Sequence, residues 1–112
     1  MIRASAAFDA NVNLRSFRAE GHAAAGDRGY DLVCAAFSVL ARTAYRALEA
    51  LPGIELSGSA TEAGKLRFEV LKTAASAERA AGIADFLVAG MNDLARDYPA
   101  AVEFVVERNW RE

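Results

Sequence analysis

The chain has 112 residues, 54% of them hydrophobic, with 13 basic against 15 acidic side chains and a formal charge of −2. That length suits one domain over residues 1–112, and a pI near 5.4 excludes a general nucleic-acid binder, which needs clustered cations against phosphates. A single cysteine excludes an internal disulfide, a Cys-x-x-Cys redox pair and a multi-cysteine zinc site, so neither metal nor cofactor is expected.

Ile2, Ala4, Ala6 and Phe8 alternate with Arg3, Ser5 and Ala7, which predicts a first strand. Asp9 to Asn13 carry turn residues, and Leu14 to Glu20, with Phe17 and Ala19 on one face, predict a second. Met1 to Phe8 form neither a continuous signal-peptide apolar region nor a membrane-length helix, so the cytoplasm is the expected compartment and no membrane partner is expected.

Gly21-His22-Ala23 comes next, followed by a loop with Gly26 and Gly29. Glycines permit tight turns there, and they let a loop reshape around an extended peptide. Gly21, Gly26, Gly29 and Tyr30 are therefore the candidate substrate loop. The loop is not a phosphate-binding one, because the Lys and the following Ser/Thr are absent.

From Leu32 to Leu51 there is no Gly or Pro, and Val33, Phe37, Leu40, Ala44, Leu48 and Leu51 recur at helical spacing. Asp31 stands where an N-cap falls. That placement puts Cys34 in the first turn, near unpaired amides and the positive dipole end. A nucleophilic cysteine acts as its thiolate, and a reference pKa of about 8.5 leaves little of it at neutral pH, so such help matters. A chain reversal through Gly26 and Gly29 can return Cys34 to His22, the only histidine.

The plainer alternative is a buried structural cysteine, a common fate for this residue. Cys34, however, lies one residue off the Val33, Phe37, Leu40 stripe and shares a flank with Ser38, Ala41 and Tyr45, which predicts a helix edge. Asp31 has two candidate roles, capping amides near Cys34 or orienting His22. Ser38 either contacts the site or bonds a preceding carbonyl. The amides of Cys34 and Ala35 are the nearest donors for an oxyanion. Tyr30 is a pocket candidate, whereas Phe37 reads as core.

Pro52-Gly53 stops the helix, and Ile54, Leu56 and Gly58 alternate with Glu55, Ser57 and Ser59 in a third strand. A hairpin connection from Thr61 to Gly64 leads to a fourth, with Leu66, Phe68 and Val70 on one side. From Ser76, the residues Ile83, Phe86, Leu87, Met91 and Leu94 return to helical spacing until Tyr98-Pro99. Gly82 and Gly90 in this helix are either tolerated weaknesses or places where another helix approaches. Val102, Phe104 and Val106 predict a fifth strand, and Trp110 either packs on the sheet or belongs to a dimer contact. The order ββαββαβ implies an α+β two-layer sandwich, a mainly antiparallel five-stranded sheet covered by two helices.

Gly-His-Ala, the twelve-residue step from His22 to Cys34, and Gly-x-Asp-Leu-Val-Cys-Ala-Ala-x-Ser over residues 29–38 resemble the ribosomal-processing cysteine protease (Prp) family. The likeness is strongest over residues 21–40, and chain length, element order and Tyr98-Pro99 are also similar. It implies a cysteine endopeptidase with His22 and Cys34 as catalytic dyad. The implied reaction removes an N-terminal extension from large-subunit ribosomal protein twenty-seven, beside adjacent aromatic residues. It also implies a homodimer. Ala24-Ala25 depart from the larger or aromatic side chains often found there, which loosens the implied substrate preference. Two other readings use the same residues: a non-enzymatic ribosome-associated module that holds a peptide, and a redox sensor working through Cys34 oxidation.

Overall fold

Alternating apolar and polar residues produce five strands, and two amphipathic segments produce two helices that cover one face of the sheet. In the computed structural model, residues 1–21, 28–62 and 65–108 are described, with the backbone alone at 28–31, 59–62 and 65. The elements are β1 (Ile2–Phe8), β2 (Leu14–Glu20), α1 (Arg28–Glu49), β3 (Glu55–Glu62), β4 (Lys65–Lys72), α2 (Ala77–Asp97) and β5 (Val102–Glu107). The sheet order is β3-β4-β2-β1-β5. Every pairing is antiparallel except β1 with β5, which run parallel with Ile2 opposite Val102. The expected α+β sandwich is the observed one. Its strand order, which periodicity does not encode, follows from α2 returning the chain to the end of the sheet where β1 starts.

The inward face of the sheet carries Ile2, Ala4, Ala6, Leu14, Phe17, Leu66, Phe68 and Val70. Against it α1 sets Val33, Phe37, Ala41, Ala44 and Leu48, and α2 sets Ala80, Ala84, Leu87 and Met91. Phe17 is the hub: its ring lies 5.7 Å from that of Phe68 and 6.4 Å from that of Phe37, so β2, β4 and α1 meet there. Tyr45 packs edge-on against Phe68 at 5.3 Å.

The outward face is polar. Register places Glu20, Arg3 and Glu103 in one row across β2, β1 and β5, alternating in sign. Arg3 pairs with Glu103 at 3.8 Å, and Arg18 reaches Ser5 at 3.1 Å and Glu107 at 3.8 Å. Exposed pairs of this kind contribute at most about 1 kcal/mol each. Their alternation keeps the face solvated and gives a polyanion no continuous cationic strip.

Two connections differ from their predicted bounds. β3 runs to Glu62 and β4 starts at Lys65, so Thr61 and Glu62 belong to the strand and not to the connection, while residues 63–64 lie outside the described residues. A short 3-10 turn, Ala74–Ser76, precedes α2; the buried Ser76 hydroxyl donates to the Pro52 carbonyl at 2.6 Å and ties the two helix-end connections together.

The β1–β2 turn is organised by Asp9, whose carboxylate accepts from the amides of Asn11 (2.9 Å) and Asn13 (3.0 Å) and faces Arg15 at 3.6 Å. Burial opposes its charge, but the amides of Asn13 and Asn11 and the Arg15 guanidinium outweigh that and hold the Asp9 carboxyl below its usual range.

Candidate active site

Cys34 is held in place by its helical neighbours. Val33 and Phe37, 2% and 3% exposed, anchor α1 into the core and so fix its rotation. Each residue advances the helix by about 100°, so Cys34 faces sideways from Val33. It is half-buried and packs against the edge of the core, at the helix edge expected from the spacing. Ser38, one turn on, is half-buried on the same flank, and Tyr45 farther along it is committed to Phe68.

The start of the helix is not where the sequence suggests. α1 begins at Arg28, so Gly29, Tyr30 and Asp31 belong to its first turn rather than to a loop and a cap. Cys34 is accordingly the seventh helical residue. Dipole stabilisation fades beyond the first turn, and the amides of Cys34 and Ala35 bond back to the carbonyls of Tyr30 and Asp31 within the helix. Neither amide remains as an oxyanion donor, and Asp31 is not the N-cap. His22 and Gly26 lie outside the described residues, as does Trp110.

Gly21 forms the base of the loop. Its φ is +96°, and a side chain there would run into the Met1 carbonyl oxygen, with the carbonyl carbon at 3.3 Å. Only glycine combines that left-handed backbone with the close pass over β1. The residue therefore fixes the direction in which the chain leaves β2, one position before His22.

Three exposed apolar side chains escaped the sequence reading: Leu32 (74% exposed) and Val39 (63%) on α1, and Phe86 (67%) on α2. Phe86 was expected on the buried stripe. The buried line is Ala80, Ala84, Leu87 and Met91, and Phe86 stands about 100° to one side of it. Leu32 and Val39 carried a visible signal, since both are apolar residues off the Val33, Phe37, Ala44 line.

Among the described residues, no group of three or more His, Cys, Asp or Glu is placed to hold a metal ion. No described helix is long and apolar enough to cross a membrane.

A family model described as cysteine protease Prp matches residues 1–103. No curated protein matches the sequence at a significant level. Among solved structures, the chain is similar to SMU.848 from Streptococcus mutans, with 28% identity, 97% of this chain and 96% of that one covered, and a TM-score of 0.81. It also shares its fold with the ribosomal processing protease Prp from Staphylococcus aureus in complex with a substrate peptide, at 17% identity, 96% and 100% coverage and a TM-score of 0.81. The same Staphylococcus aureus protein with a covalently linked product peptide matches at 17% identity, 96% and 100% coverage and a TM-score of 0.76.

Proposed function

The chain belongs to the cysteine protease Prp family, and from that premise we propose that it is an endopeptidase with Cys34 as nucleophile and His22 as acid and base. One observation carries the reading: a cysteine protease needs a thiol, and this chain contains one cysteine and one histidine. The half-burial of Cys34 supports it, since the sulfur lies at a helix edge rather than sealed in the core.

The substrate is the N-terminal extension of large-subunit ribosomal protein twenty-seven, and the product is the trimmed protein. The Staphylococcus aureus protein with a substrate peptide and with a covalently linked product peptide supports both the substrate class and a covalent intermediate.

The Cys34 thiolate adds to the scissile carbonyl, and the carbonyl π electrons move to oxygen. Collapse of this adduct breaks the C–N bond. His22, holding the proton taken from the thiol, delivers it to the departing amine and leaves a thioester on Cys34. Water then adds to the thioester while His22 takes its proton. The second collapse expels the thiolate and releases the carboxylate product. Asp31, without a cap to make, orients the His22 ring. Donors to the oxyanion come from outside the α1 ladder. Tyr30 and Gly26 contact the substrate, Ser38 borders the nucleophile, and the enzyme works as a homodimer in the cytoplasm.

The test is Cys34→Ser against a peptide copying the extension. Cleavage is abolished while peptide binding persists; continued cleavage overturns the assignment.

A further inference from the structure

α1 turns one flank to α2 and the opposite flank to a free edge of the sheet. A side chain at Gly90 of α2 would strike Leu40, and Thr43 and Ala47 line a groove with Gly82, Ile83 and Phe86, so these α1 residues mark the α2 side. Thr43 stands nine residues after Cys34, which is half a turn round the helix, so Cys34 faces away from α2. On the Cys34 flank, Tyr45 is eleven residues on and about 20° away, and it rests edge-on against Phe68 of β4. Phe68 is the register partner of Gly58 in β3, the last strand of the sheet. The nucleophile therefore looks out over β3.

The strand also runs under the right stretch of the helix. The Leu51 amide donates to the Leu48 carbonyl at 3.0 Å and the Ile54 amide to the Leu51 carbonyl at 3.4 Å, and these turns fold the chain straight back, so that β3 returns along α1. Its far end is thus the end nearest the start of α1. Cys34 lies about 16 Å along the helix from Tyr45 at 1.5 Å per residue, and Glu62 lies about 13 Å along the strand from Gly58 at 3.3 Å per residue. The two distances agree, which sets the sulfur beside the final residues of β3.

Among the described residues, no strand pairs with the outer side of β3. The N–H and C=O groups along such an edge are a template for another extended chain. The register of β3 on β4 shifts between Ser59 and Glu62, and Gly58, at φ +108°, presses so close to β4 that a side chain there would come within 2.8 Å of the Phe68 Cα. Bulges collect next to active sites, and a glycine within a strand accompanies close approach of another backbone. The opposite edge, β5, keeps one register throughout and lies under α2, across the sheet from Cys34. Charge selects the occupant: β3 contains Glu55 and Glu62 and no basic residue, whereas a ribosomal protein carries the cations that answer RNA phosphates.

We infer that the substrate enters as an extended, basic peptide that adds to the free edge of β3. Residues on one side of the scissile bond pair with the backbone of Gly58–Glu62, and the scissile carbonyl is delivered to Cys34. Strand addition reads backbone, so the register of the peptide against the end of β3 sets which bond is cut. The inference rests on the protease reading above and adds where and how the substrate is held.

Two measurements with a peptide copying the extension test it. N-methylation removes one backbone donor at a time, and in an added strand every second amide faces β3. Methylation at alternate positions on one side of the scissile bond raises KM about five- to tenfold with kcat unchanged, and the positions between have no effect. In Cys34→Ser, saturating peptide slows hydrogen exchange of amides within Glu55–Glu62 and leaves those of Val102–Glu107 as they were. Losses without alternation, or a bound peptide that protects β5 or neither edge, overturn the docking edge and leave the protease reading standing. A folded chain that neither cleaves nor binds the peptide overturns both.

Discussion

Replacing Gly21 by alanine separates a conformational requirement from mere tolerance. At φ +96° an L side chain costs about 1–2 kcal/mol. The new Cβ also meets the Met1 carbonyl oxygen, a backbone atom that cannot rotate away as a side chain would. Overpacking against such an atom adds about 1–2 kcal/mol. The sum is a loss of about 2–4 kcal/mol, or about 1–2 M in the urea midpoint for a domain of this size. The assay is equilibrium urea unfolding followed by circular dichroism at 25 °C, with peptide cleavage measured on the folded fraction. Cleavage falls as well, because the residue aims the chain into His22. A loss below about 0.5 kcal/mol refutes the reasoning.

Gly82→Ala, with nothing to strike, stabilises an isolated chain by about 0.5–1 kcal/mol, whereas Gly90→Ala forces Leu40 to move and comes out less stable than Gly82→Ala by about 1–3 kcal/mol; urea titration at low protein concentration ranks them. Phe17→Ala, which empties the site between Phe37 and Phe68, costs about 3–5 kcal/mol in the same assay. Asp9 has a lowered pKa in the fold, so its contribution is full above the unfolded value and is lost as pH falls through the folded one. Asp9→Asn is therefore less stable than wild type at pH 7, by about 1 kcal/mol for a half-buried carboxylate held by two amides, and the gap closes in thermal melts as the pH falls through the folded-state value.

The elements were legible because their chemistry is local. Alternation in Ile2–Phe8 and Leu66–Val70, the Pro52-Gly53 stop and the Tyr98-Pro99 end state their own structure, and the buried residues occupy the predicted faces. The parallel pairing of β1 with β5 was not legible, since strand neighbours are chosen by how α2 crosses the sheet. The start of α1 was misread because Gly29 and Asp31 look like punctuation, yet the first turn of a helix tolerates both. The face of Phe86 was misread because four buried positions of α2 suffice without it. For the site, the flank of Cys34 followed from the phase of Val33 and Phe37, while the loss of the Cys34 and Ala35 amides to the helix ladder followed only once the helix start was known.

The most direct measurement is mass-spectrometric cleavage of a peptide copying the N-terminal extension of the ribosomal protein, run with wild type, Cys34→Ala and His22→Ala. A single cut by the wild type, lost in both variants, is the predicted result. A cut that survives Cys34→Ala, or a folded wild type that binds the peptide and leaves it whole, contradicts the account.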